Sequence, residues 1–353
     1  MSLETAHANP NAPSAAAVAG RNAALRIAFG AVIGFLLAGA FQITLFFLPA
    51  LLAVQLLSLM VRPPVLAEAI ALVFLMAVLA WVTLLVAGVF SGQPVVYLLM
   101  VGLLVFFGFL LDSAGKAIPA TLMLTLGSTI PLVVAQSADA AAGIAGALIG
   151  ATVIALLAIW TVFALFPAAS SATAVAPASH ASPRAALINT ALLIPVLLLF
   201  LIDGRMTFVA VIVIVNIIRQ RKRGAASLAA LGLLFGNILG GVLASIAYAF
   251  VTVQSGPVFF LLVVLLFGLM LGGGGVVAGP KAPIYSVAFV SFIILLGLGI
   301  SPAPGETAVY FVDRLVSVLG AGAYAVGAIS LVSRGDTAPE APESNYDQRL
   351  NAG

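Results

Sequence analysis

The chain has 353 residues, 63% of them hydrophobic and 7% charged, with no cysteine and a formal net charge of +3. A soluble domain carries about 25% charged residues, so this composition, at a mean hydropathy of +1.26, excludes a water-soluble globular fold and points to a polytopic α-helical membrane protein. Without thiols there are no disulfides and no thiolate metal sites.

Residues 1–20 have neither the basic start nor the apolar core of a signal peptide. They read as a disordered cytoplasmic tail. Twelve apolar stretches follow, most of about the 20 residues that a helix needs to cross the hydrocarbon core. They predict helices at 24–41, 43–61, 66–90, 94–112, 117–135 and 142–166, then at 185–203, 205–219, 225–252, 257–277, 283–300 and 308–333. The turns between them carry the expected breakers, among them Arg62-Pro63-Pro64, Ser91-Gly92-Gln93-Pro94, Ser255-Gly256-Pro257 and Ser301-Pro302-Ala303-Pro304-Gly305. An Ala- and Ser-rich linker, 167–183, divides the series, and an acidic tail, 335–353, closes it.

Charge placement gives the orientation. With the N-terminus cytoplasmic, that side receives Arg21, Arg26, Arg62, Lys116, Arg184, Arg219, Arg221, Lys222, Arg223, Lys281, Arg334 and Arg349, and the other side receives Arg205 and Arg314. Such a split across short loops is a positive-inside signal and predicts both termini in the cytoplasm.

The chain also repeats. Arg21 and Arg184 each open a half and lie 163 residues apart (184 − 21), the spacing of Pro94 and Pro257 as well. Lys116-Ala117-Ile118-Pro119 answers to Lys281-Ala282-Pro283 at a spacing of 165 (281 − 116). The expected fold is therefore all-α, about twelve transmembrane helices in two six-helix halves, 21–166 and 184–334. Six is even, so the halves are parallel, related by an axis along the membrane normal.

An Arg-flanked first helix (Arg21 to Arg26), a late helix opening Asp313-Arg314-Leu315 and running into Gly320-Ala321-Gly322, and the two six-helix halves together resemble the fusaric acid resistance/aromatic acid exporter superfamily. The nearest branch is its small members known as domain of unknown function 2955. The resemblance covers about residues 20–334 and is one of architecture and spacing. It implies a bacterial inner-membrane exporter of aromatic or other organic acids, with a periplasmic membrane-fusion adaptor as partner. Larger members carry a soluble cytoplasmic domain, which this chain replaces with a short linker.

Nothing in the sequence supports catalysis or a bound cofactor. His7 and His180 fall in the tail and the linker, and HExxH, Walker A and GxSxG are absent. Gly272-Gly273-Gly274-Gly275 lacks the Gly-Lys-Ser/Thr that a phosphate loop requires.

Two matched turns are the first candidate site. One reads Asp112-Ser113-Ala114-Gly115-Lys116 and enters the helix of Pro119 and Thr125. The other runs from Gly272–Gly275 to Lys281-Ala282-Pro283-Ile284-Tyr285-Ser286. Broken helices in corresponding places of two repeats point to a substrate site, and free N–H groups at a helix start beside Lys116 or Lys281 suit a carboxylate. The alternative is that Gly and Pro make interfacial turns and the lysines serve topology. Gln55, Asn216 and Asn237 form a second candidate set, since an amide in mid-span needs a partner inside protein. Either they line a pathway or they hydrogen-bond helices together. Gln55 and Asn216 lie on corresponding helices, the second and the eighth.

Ionisable residues near span ends, among them Glu68, Asp112, Asp203, Arg205, Asp313 and Arg314, are functional candidates by position or else solvated ends and local pairs. Asp112, Asp203 and Asp313 are the candidates for proton coupling. The expected activity is proton-driven export of a small organic acid by residues Gln55, Asn216, Lys116, Lys281, Tyr285 and Asn237. A passive anion channel and a non-transporting scaffold of an efflux complex compete with it. Lipid is the surrounding partner, self-association stays open, and a nucleic-acid partner is not expected, because the basic run Arg219–Arg223 belongs to a cytoplasmic loop.

Overall fold

The structure, a computed structural model, describes residues 15–43, 45–135, 137–168, 181–203, 208–220 and 227–300, with single helical positions between 316 and 328. Among these residues are eleven α-helices and no strand: α1 (Ala15–Ala40), α2 (Phe47–Leu57), α3 (Leu66–Phe90), α4 (Pro94–Ser113), α5 (Ala117–Val134), α6 (Ala138–Leu165), α7 (Pro183–Asp203), α8 (Phe208–Gln220), α9 (Ser227–Val253), α10 (Pro257–Val277) and α11 (Ala282–Ile300). Eight are long and apolar enough to cross a membrane, which makes this a multi-pass membrane protein. The predicted helix at 308–333 lies outside the described residues except for a few helical positions, and so do most of both tails and most of the linker.

Local chemistry sets the ends. Pro94 and Pro257 occupy first-turn positions of α4 and α10, where a missing N–H costs nothing. Ser137 caps α6 by accepting the Ala140 N–H at 3.2 Å. At the start of α3, Glu68 accepts the Val65 N–H at 3.0 Å and holds Arg62 through both its oxygens, at 2.5 and 3.1 Å. The turns after α4 and α10 each turn on a glycine at positive φ, Gly115 at 79° and Gly279 at 53°.

Three expectations need correction. Residues 15–20 are helical and extend α1, where a disordered tail was expected. The run Ala15-Ala16-Ala17-Val18-Ala19 has high helix propensity, and Gly20 lies against Val276 of α10. The second helix covers 11 residues instead of 43–61, and all eleven are buried. At 1.5 Å per residue it is about 16 Å long, half the hydrocarbon thickness. Its apolarity reflects burial among helices, which hydropathy cannot tell from exposure to lipid. Finally, Gly272–Gly275 do not break a helix. They lie within α10, and the break comes after them, at residues 278–281.

Packing sorts the helices into an inner and an outer set. α2, α5 and α11 are the most buried, and the described side chains of α8 are nearly all buried. α2 packs on α11, and α8 packs on α5. Outside them, α1 lies along α10, α4 along α7, α3 against α5, and α9 against α11. α3 turns Ile70, Phe74, Trp81, Leu85 and Val89 outward. In water such a face would be a liability; against lipid it is ordinary.

α9 and α11 cross closely. Glycines recur every fourth residue at Gly232, Gly236 and Gly240, and a Cβ at Gly240 would stand 2.3 Å from the Ala288 carbonyl oxygen. Small residues at that spacing let helix backbones approach closely.

Candidate functional site

The inner helices leave a polar cavity of about 230 Å3 where the C-terminal ends of α2 and α8 meet the N-terminal ends of α5 and α11. Gln55 and Ser58 reach it from α2 and the residues just after it, Asn216 and Arg219 from α8, Thr121 from α5 and Ser286 from α11. These six form three pairs by position. Gln55 and Asn216 are 161 residues apart. Ser58 and Arg219 have the same spacing (219 − 58), and Thr121 and Ser286 are 165 apart (286 − 121). Residues 161 or 165 positions apart in the chain thus line one space.

Within it the hydrogen bonds are directional. The Asn216 side-chain amide donates to the Ile212 carbonyl one turn back, at 2.9 Å. That fixes its oxygen toward Gln55, whose Nε2 donates to it at 3.5 Å, the long limit of a hydrogen bond. The Gln55 Oε1 therefore faces away from Asn216; it is buried and accepts no hydrogen bond. An uncompensated buried acceptor costs about 1–3 kcal/mol.

Charge enters on one side. Arg219 meets Asp112 at 3.1 Å, with both side chains almost covered, at 12% and 11% exposure. The guanidinium also donates to the Ala117 carbonyl at 3.3 Å. Asp112 ends α4, so the pair ties α4 and the start of α5 to α8. Ser58, 161 residues before Arg219, bears no charge and donates its hydroxyl to the Gln55 carbonyl at 2.7 Å.

A second cavity, about 300 Å3 and mostly apolar, adjoins the first and shares Val54, Ser58 and Ser286 with it. Tyr285 and Phe289 of α11 line it together with Ile27 of α1 and Leu271 of α10. The Tyr285 ring occupies the space opposite Gly274, where a Cβ would lie 2.4 Å from it. The glycine run seats an aromatic ring.

The expected site residues separate accordingly. Gln55, Asn216 and Asp112 come together around the polar cavity, and Tyr285 lines the apolar one. Lys116 and Lys281 are exposed and line neither, though each adjoins lining residues, Gly115 and Ala117 for one and Ala282 for the other. Asn237 lies away from both cavities, fully buried at the α9–α11 crossing, where its Oδ1 accepts the Ser291 hydroxyl at 2.5 Å. Its place is that of an interhelical hydrogen bond. Asp313 and the side chain of Asp203 fall outside the described residues.

Sequence reasoning missed Arg219, which it counted with the basic run that follows. One signal was available: Arg219 sits three residues after Asn216, on the same face of α8. Ser58, Thr121 and Ser286 carried no signal of their own.

Residues 23–165 match the family described as Protein of unknown function (DUF2955), an uncharacterised family. The matched segment runs from the third turn of α1 to the end of α6. Among curated proteins and among solved structures nothing matches.

Proposed function

We propose that this chain is a transporter of small organic acids in the bacterial inner membrane, built from two parallel six-helix halves that share one central binding cavity. The observation that carries the proposal is the convergence of Gln55/Asn216, Ser58/Arg219 and Thr121/Ser286 on that cavity. Paired packing supports the two halves. Exchanging corresponding helices turns the α1–α10 contact into α7–α4, and α2–α11 into α8–α5, and both members of each pair occur. The family match, confined to residues 23–165, also stops where the first half would stop.

Arg219 and the N-terminal ends of α5 and α11 are the groups that attract an anion. A carboxylate entering the polar cavity competes with Asp112 for Arg219. Protonation of Asp112 weakens its hold and frees the guanidinium for substrate; loss of that proton restores the pair and expels the substrate. Proton and acid thus bind together, and one carboxyl couples their movement in the same direction. Lys116 and Lys281, at the rims, raise the local concentration of anions. Both termini lie in the cytoplasm, and a periplasmic adaptor would continue the export path.

Purified protein in sealed vesicles, given a panel of radiolabelled carboxylic acids and an imposed pH gradient, tests this reading. Saturable flux that follows the gradient and falls at least tenfold in Arg219→Gln, per inserted molecule, supports it. Flux indifferent to the gradient would identify an anion channel, and absence of flux a scaffold.

A further inference from the structure

Resting on the acid-transport reading, we infer that Gln55 selects acids that carry a hydrogen-bond donor, a hydroxyl or an amino group, beside the carboxylate. The Ile212 carbonyl orients Asn216, Asn216 holds Gln55 only at 3.5 Å, and the Gln55 Oε1 is left as an acceptor with nothing to accept. Gln55 is 93% covered (7% exposed), so bulk water does not make up the loss. A bound molecule that offers an N–H or O–H would. The terminal torsion of glutamine is broad, and its present tether to Asn216 is at the 3.5 Å limit, so a modest rotation turns the oxygen into the cavity that this side chain lines.

Position then sets where the donor must be. Gln55 and Arg219 line the same small space of about 230 Å3, so the donor and the carboxylate belong to one compact head group. The adjoining apolar cavity, with Tyr285 and Phe289, takes a hydrocarbon body. The molecule specified is a 2-hydroxy or 2-amino acid with an apolar side chain, in preference to the bare acid. A site built around a hydrogen-bond acceptor discriminates strongly, because an analogue without the donor leaves the buried acceptor unpaired.

Three probes share one skeleton: 4-methylpentanoate, 2-hydroxy-4-methylpentanoate and leucine. Their affinities for the full-length chain in lipid nanodiscs are measured by calorimetry. The hydroxylated or the aminated probe should bind about tenfold or more tightly over the bare acid, and the stronger of the two identifies the donor. In Gln55→Met, which keeps the length of the side chain but lacks the carbonyl, the three affinities should converge to within about twofold. Equal binding of all three by the unaltered protein overturns the inference and leaves acid transport standing; this arm needs no variant to fold. Binding of none of them also overturns it, and the vesicle assay then reports separately on transport. A preference that persists in Gln55→Met assigns donor recognition to another group and overturns the role of Gln55.

Discussion

Asp112 and Arg219 lie 107 residues apart in the chain and 3.1 Å apart in space, nearly covered, at the junction of α4, α5 and α8. Removing one partner of a buried ion pair strands the other charge and costs about 3–5 kcal/mol. Arg219→Ala and Asp112→Ala should each lower thermal stability in detergent sharply. The double change to Asp112→Asn with Arg219→Gln should recover most of it while transport stays lost. Full transport in the double variant would detach the pair from function.

Asp112→Asn alone separates coupling from binding. Without that carboxyl, net flux driven by a pH gradient should vanish, whereas exchange of labelled for unlabelled acid across the vesicle membrane should persist. Export that still follows the gradient would move the coupling group elsewhere.

Gly240→Ala should loosen the α9–α11 crossing. The added methyl meets a backbone carbonyl at 2.3 Å, and such overpacking costs about 1–3 kcal/mol. Gly143→Ala, where nothing lies within 4 Å of the new methyl, serves as the control. Melting curves of the two variants should differ clearly; coincident curves would deny the close approach.

Trp81 is 71% exposed on the outer face of α3, whereas Trp160 donates its indole N–H to the Pro64 carbonyl at 2.8 Å. In bilayers containing brominated lipid, fluorescence of Trp160→Phe, in which Trp81 alone emits, should be quenched strongly. Weak quenching would place a protein partner over α3.

Single cysteines added to this cysteine-free chain test the orientation. Impermeant label should react at residue 175 and near both ends only from the cytoplasmic side, as the distribution of Lys and Arg predicts. Label reaching residue 175 from outside would reverse the assignment of the halves.

Much of the fold was legible in hydropathy, because a lipid-facing span such as α3 must be apolar all along its length. α2 defeated that logic. A helix buried among other helices is as apolar as one in lipid, so its half length left no trace in the sequence. The site was legible where polarity was out of place, at Gln55 and Asn216. It was illegible where polarity had an ordinary explanation. Arg219 passed for a loop charge, and serine and threonine hydroxyls are common in helices, where they bond one turn back, as Thr121 does to the Ala117 carbonyl.

On the proposed reading of two halves, the Asp112–Arg219 pair also bears on how this chain could have arisen. If two copies of the first half assembled around the same axis, each would bring Asp112 and Ser58, and neither would bring an arginine at the place of Arg219. The centre would hold two acids with no cation to answer them, which a water-poor interior disfavours. A tandem chain removes the difficulty, since its second half is free to place Arg219 where the first keeps Ser58. Fusion of the halves would then be a condition for the present charge arrangement, and the first half expressed alone should pair stably only when Ser58→Arg is introduced.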